Sequence, residues 1–202
     1  RDREVRNLSP CPLGHTPYPH LRRSGEKRLL FAPNGYVGAT AGPAMEKVAL
    51  DDVRIENNPL GVHSVRKPVS DALGTTDFAF NYFELQPGES FSGGMHRHHD
   101  QEELFYILEG TATFETPEEV VEVPEDGCIR FEPGEYQTGG NETDDVVRGF
   151  AIGAPDARHD WDELDALVYC TECEEETDHG MSLTDDGQFA FSCRECGNDP
   201  QA

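Results

Sequence analysis

Three histidines and three glutamates crowd one short stretch, "GGMHRHHDQEELFYILEG", residues 93–110. Imidazole nitrogens and carboxylate oxygens are the donors that divalent transition metals take up. His96 and His98 are two apart, so on a strand both side chains share one face, while Arg97 and His99 point to the other. Glu103 lies five residues after His98 and begins the next apolar run. Two imidazoles and one carboxylate from adjacent strands can occupy one face of an octahedral ion, an arrangement preferred by Fe(II) and suited to Mn(II) or Ni(II). The alternative is a set of polar side chains on a solvated strand. His63 and His159 show no partner pattern and are expected at surface or loop positions.

A second candidate centre lies near the C-terminus. Cys170-x-x-Cys173 and Cys193-x-x-Cys196 are separated by 19 residues. Paired knuckles at this separation read as a tetrahedral zinc site with four thiolate ligands, and "MSLTDDGQFAFSC" between them reads as a hairpin turning at Asp186-Gly187, as a zinc ribbon requires. Gly197 permits a tight turn after the second knuckle, whereas Glu174 holds the corresponding place after the first. Four thiolates leave no open position, so this zinc is structural. Disulfides are the competing reading; a reducing compartment and the spacing favour zinc. Cys11 and Cys128 stand alone, and Cys128, in an apolar strand, is expected to be a buried small hydrophobe.

Charge bounds the partners. Forty acidic residues face sixteen basic ones, a formal net charge of −24, and only three of the cations are lysines. Such a surface repels nucleic acid and anionic membranes, because phosphate neutralisation needs clustered Lys and Arg. Residues 168–202 carry nine acidic side chains and one basic, Arg194, so the ribbon is expected to staple the fold or touch protein rather than phosphate. An acidic, lysine-poor surface suits molar salt, where screening suppresses self-repulsion, and the composition resembles that of proteins from halophilic archaea.

The elements that must position these residues read as β. "DFAFNYFEL" alternates, "LFYILEGTATFE" runs to Gly110 and alternates again, and "VVEVPEDGCIRFEPGEYQ" gives two short runs broken at Asp126-Gly127 and Pro133-Gly134. "DDVVRGFAIGAP" closes the series. Short strands with frequent turn signals predict an all-β sandwich or barrel. Residues 1–44 carry seven basic and three acidic side chains, net +4, against −28 for the remainder, and lack either periodicity. They are expected to be a disordered or spurious extension, with Met45 the expected start. Arg22-Arg23 followed by "LLFAPNGYVGATAG" is a weak export signal, since Pro33, Asn34 and Gly35 interrupt its apolar part, and the expected location is the cytoplasm. Residues 45–76 are expected to form an arm packed on the barrel, 77–154 the barrel, 155–169 a connecting segment with one short helical turn, and 170–202 the ribbon.

The barrel segment resembles the cupin family. The family's first motif reads here as Gly88, His96, His98, Glu103 and Gly110, with four residues between His98 and Glu103 and six before Gly110. Seven residues rather than five separate Gly88 from His96, the excess falling near Gly93-Gly94. The second motif reads as Gly134, Gln137 and Asn141, with Glu132 at the usual proline position and Gln137 where the family's fourth ligand, a histidine, stands. A glutamine carbonyl oxygen can ligate a hard cation, more weakly than imidazole. The resemblance implies a small antiparallel jelly-roll barrel with the site inside it, holding one divalent metal (Fe, Mn, Ni or Zn) on His96, His98, Glu103 and Gln137. The six-residue spacing to Gly110 selects Glu103 over Glu102, leaving Glu102 and His99 outside. Some of Phe80, Tyr82, Phe105 and Phe131 are expected to shape the pocket. The implied activity is that of a metal-dependent dioxygenase or isomerase acting on a small organic molecule. The alternative is a non-catalytic module that binds or senses a small ligand. Family analogy adds a homodimer.

Overall fold

Alternating apolar residues and closely spaced turns fold into strands with almost no helix. The computed structural model describes residues 45–199, apart from Asn57, His159, Asp185 and Asp186. The expected extension over 1–44, Cys11, His159 and the Asp186 turn residue therefore lie outside the described residues. Among the described residues no helix is long and apolar enough to cross a membrane.

The chain enters through β1 (Val65–Pro68) and a one-turn helix α1 (Val69–Leu73), then β2 (Ala79–Leu85), β3 (His96–His98) and β4 (Glu102–Glu109). It continues through β5 (Thr111–Glu115), β6 (Val120–Pro124), β7 (Cys128–Phe131), β8 (Thr138–Gly140) and β9 (Val147–Ala154). The C-terminal part holds β10 (Leu164–Cys170), β11 (Glu175–Leu183) and β12 (Phe189–Cys193). One antiparallel sheet has the order β1-β2-β9-β4-β7, and a second has the order β6-β5-β8. Their inner faces meet in a core of Phe83, Leu85, Phe105 and Ile107 from the first and Ala112, Phe114 and Val123 from the second, with Phe91, Phe131 and Val147. Leu85, Ile107, Phe114 and Val147 are fully buried. Each contributes roughly 1.5–3 kcal/mol by leaving water.

The chain changes sheets at Gly110, between β4 and β5. Its φ is +81°, and a Cβ there would lie 2.7 Å from the Val146 carbonyl oxygen, so only glycine fits the crossing. The architecture is the expected jelly roll, built from antiparallel pairs.

A third sheet, β12-β11-β10-β3, ties the C-terminal part to the histidine strand. β10 pairs with β3 in the register Leu164 with His98, Asp165 with Arg97 and Ala166 with His96. On the other side of β3, the His96 amide donates to the Gln137 carbonyl (3.0 Å) and the Gln137 amide returns a bond to His96 (2.9 Å). The histidine strand is thus held between the barrel and the C-terminal sheet. Where the sequence suggested a connecting segment over 155–169, Leu164–Cys170 is a strand and only Trp161–Glu163 is a helical turn.

Two burial expectations are corrected. Cys128 is exposed, because its strand is an edge of the large sheet and the apolar alternation there falls on Ile129 and Phe131. His63 is buried, with 3% of its surface exposed. Its Nδ1–H donates to the Ser90 carbonyl (3.0 Å), its Nε2 accepts from the Asn58 amide (3.3 Å), and its ring packs edge-on against Phe83. Desolvation lowers its pKa, so it is a neutral, satisfied core histidine. Some of four aromatics were expected inside the barrel: Phe105 and Phe131 belong to the core, whereas Phe80 and Tyr82 pack against Phe150. Both faces of β2 are covered, so alternation alone does not show which one is the interior.

Candidate metal centres

β3 is extended, so His96 and His98 emerge on one face as their spacing predicts, and β4 brings Glu103 opposite them. One ligand atom from each of His96, His98 and Glu103 lies within 4.8 Å of the others. His96 Nε2 is 3.7 Å from Glu103 Oε2, and His98 Nε2 is 3.6 Å from Glu103 Oε1. His96 Nδ1–H donates to the Gly94 carbonyl (2.9 Å), which leaves the Nε2 lone pair facing the carboxylate. The two extra residues before His96 lie in the bend that supplies this acceptor. Burial pushes the Glu103 carboxyl above its usual range, partly offset by His96 and by a hydrogen bond from Gln137.

Gln137 joins the triad. It is buried, and its Nε2 lies 2.6 Å from Glu103 Oε2 and 3.3 Å from His96 Nε2. Its Oε1 is buried and has no hydrogen-bond partner among the described residues. A half-turn of the amide exchanges oxygen and nitrogen, so the same side chain can turn a carbonyl oxygen toward a cation. Two imidazole nitrogens, a carboxylate and an amide with a spare oxygen therefore fit a divalent ion. The space among the site residues is narrow, bordered also by Gln101, Phe131, Glu132 and Glu135. Asn141, the last position of the second motif, is no ligand. Fully buried, it donates from Nδ2 to the carbonyls of Leu85 (2.9 Å) and Asp145 (2.7 Å), and its Oδ1 accepts from the amide and hydroxyl of Thr143.

The opposite face of β3 carries a charged network that sequence reasoning missed. His99 lies there, more than a third exposed, while Glu102 sits on the surface paired with Arg130. Arg97 donates from Nη2 to Asp165 Oδ2 (3.1 Å) and Asp178 Oδ2 (2.5 Å) and lies over the Tyr136 ring. Tyr136 donates its hydroxyl proton to Asp178 (2.7 Å). His99 Nε2 meets Asp165 Oδ2 at 2.7 Å, and Arg194 Nε donates to Asp165 Oδ1 at 2.9 Å. Burial pushes the Asp165 carboxyl up, but hydrogen bonds from His99, Arg194 and Arg97 outweigh it and hold the carboxyl below its usual range. The available signal was parity: Arg97 and His99 alternate with His96 and His98, so they needed partners of their own. Their partner is 66 to 68 residues away and has no sequence mark.

The four cysteines of the second centre also converge, with their sulfur atoms within 4.8 Å of one another. Cys170 and Cys196 are 3.5 Å apart and Cys173 and Cys193 3.9 Å apart, far beyond a covalent S–S bond. The Thr177 hydroxyl and then the Cys196 amide draw the Cys193 thiol down to about 6, toward the thiolate that a metal needs. This donor set fits tetrahedral zinc. Between the two centres, the register aligns His96, Ala166, His179 and Cys193 across the sheet. His179 is fully buried, and its Nδ1–H donates to the Thr177 carbonyl (2.9 Å).

Comparison with known proteins agrees with this fold. Residues 81–153 match the family model described as Cupin domain. A sugar phosphate isomerase from a cupin superfamily, from Silicibacter pomeroyi, superposes with a TM-score of 0.55 at 23% identity, covering 75% of this chain and 95% of that one. The polyketide cyclase RemF from Streptomyces resistomycificus gives 0.47 at 24% identity, covering 55% and 79%. A protein put forward as a sugar phosphate isomerase, from Acidithiobacillus ferrooxidans, gives 0.42 at 22% identity over 45% of this chain, which spans 58% of that one. No curated protein sequence matches. The barrel that carries His96, His98, Glu103 and Gln137 is accordingly a cupin-type jelly roll, matched as a cupin domain over residues 81–153.

Proposed function

We propose that the barrel binds one divalent transition metal on His96, His98 and Glu103, with Gln137 as a weaker fourth ligand, and acts on a small organic molecule as a dioxygenase or isomerase. The observation that carries this reading is the convergence of the three donor groups within 4.8 Å, with the Nε2 lone pair of His96 aimed by Gly94. A metal held there supplies Lewis acidity and open positions for O₂, water or substrate. The chain's own residues do the rest. Before a metal enters, Glu103 accepts a hydrogen bond from Gln137 that orients the carboxylate, and Phe105 and Phe131 pack in the aromatic core of the barrel. Glu132 and Glu135 border the opening, which disfavours anionic ligands.

A second reading is a binding or sensing module without turnover. It is favoured by the small space at the site and by the aromatic core that fills the barrel. In either case Cys170, Cys173, Cys193 and Cys196 hold a structural zinc, consistent with their free thiols and mutual distances. The acidic surface supports a protein of salt-rich cytoplasm that avoids nucleic acid and membranes, and family analogy supports a homodimer.

Elemental analysis of protein purified in high salt, beside a His96→Ala/His98→Ala double variant, tests the metal. Two metals per chain in the parent and zinc alone in the variant are expected. Zinc alone in both overturns the enzyme reading.

A further inference from the structure

We propose that Asp165 couples the two metal centres, gripping the histidine strand through Arg97 and His99 and the second cysteine knuckle through Arg194. The proposal rests on the reading that both donor sets bind metal. β3 has only three residues and cannot hold its two imidazoles in place by itself. One side of it is secured by the Gln137 bridge and by the Gly134 amide on the His98 carbonyl (2.7 Å). The other side belongs to β10 and the turn that leads into it. There the ladder is extended by the His99 amide on Glu163 (2.8 Å) and the Leu167 amide on Met95 (3.0 Å). The same strand ends in Cys170, a zinc ligand of the proposed site.

Asp165 sits near the start of that strand with 4% of its side chain exposed. Its two oxygens divide the work: Oδ2 takes Arg97 and His99 from the ligand strand, and Oδ1 takes Arg194. Arg194 lies between Cys193 and Cys196, so its position follows that of the knuckle. Gly180 makes the reach possible, because a Cβ there would lie 2.8 Å from the guanidinium carbon. Asp178 adds a parallel link, accepting from the Arg97 guanidinium through its side chain and from the Arg194 amide through its carbonyl (2.8 Å). Release of zinc frees the knuckle, withdraws Arg194 from Asp165 and loosens the strand that aims His96 and His98. Linkage makes the effect mutual: each metal strengthens binding of the other.

The test uses the full chain with zinc bound, titrated with Mn(II) and read from the EPR signal of the free ion. Arg194→Gln is the decisive variant, because Arg194 is half exposed and touches none of the barrel ligands. It should keep one zinc per chain and bind Mn(II) about tenfold more weakly, within the range typical of coupled binding sites. Arg194→Lys should restore most of the affinity, and Asp165→Asn should weaken it at least as much as Arg194→Gln. Removing zinc should weaken Mn(II) binding in the parent protein more than in Arg194→Gln, where the link is already cut. Parent affinity in both Arg194→Gln and Asp165→Asn overturns the proposal, as does Mn(II) binding indifferent to zinc. If Asp165→Asn fails to fold by circular dichroism, Arg194→Gln alone decides. A parent protein that holds zinc but takes no Mn(II), Fe(II) or Ni(II) instead overturns the barrel-metal reading, and the coupling with it.

Discussion

Replacing Asn141 with alanine should cost the protein about 3 kcal/mol, a figure that can be built from its hydrogen bonds. Asn141 is fully buried and has four bonds. Two of them satisfy carbonyls, and the one on Leu85 lies in the deepest part of the core, at the end of β2. An alanine removes that donor from a buried carbonyl, a loss of roughly 1–3 kcal/mol. The bonds to Asp145 and Thr143 are partly open to water, which can replace them, so each adds less. A protein of this size loses about 2–4 °C in Tm per kcal/mol, so a fall of about 9 °C is expected. Asn141 also exchanges backbone bonds with Gly88 and Glu89, and Gln137 lies on the same segment, so metal affinity should fall with stability. Thermal unfolding followed by near-ultraviolet circular dichroism in high salt measures it. A fall under about 3 °C, corresponding to about 1 kcal/mol, would refute the reasoning, because water would then be satisfying the Leu85 carbonyl.

Glu103→Gln should abolish binding at the barrel yet stabilise the metal-free protein at neutral pH. Burial raises the folded pKa of Glu103, so its contribution to stability is full below the unfolded carboxyl value and is lost as pH rises through the folded one. The variant's advantage in urea midpoint should therefore shrink as the solution is acidified, and a variant less stable than the parent at pH 7 contradicts the assignment. Gly139→Ala should cost about 1–3 kcal/mol by overpacking, because its Cβ would lie 2.4 Å from the fully buried Phe114 ring; an unchanged denaturant midpoint would show that Phe114 can move aside. With a net charge of −24, Tm should rise from dilute buffer to molar KCl as the Debye length falls from about 10 to about 3 Å, and a flat salt profile would argue against a salt-adapted surface.

What the sequence made legible followed from local rules. His96 and His98 share a face because a strand alternates, and Glu103 meets them because the next strand begins beside it. The cysteine spacing needed only a hairpin, which β11 and β12 supply. What stayed hidden depended on pairings between distant segments. Asp165 looked like one more acid in an acidic protein until β10 aligned it with Arg97. His63 lacked a motif, and its burial depends on the Ser90 carbonyl 27 residues away. Phe80 and Phe83 are equally apolar, and only the packing of two sheets decides that Phe83 faces the core.

The central claim is that the barrel holds its own metal apart from the zinc. Anomalous diffraction from crystals grown with zinc and Mn(II), recorded on both sides of the zinc absorption edge, tests it most directly. Two separate peaks per chain are expected: a zinc peak among Cys170, Cys173, Cys193 and Cys196, and a second that lacks the zinc edge among His96, His98 and Glu103. A single peak at the cysteines, with Gln137 still donating to Glu103, would contradict the account.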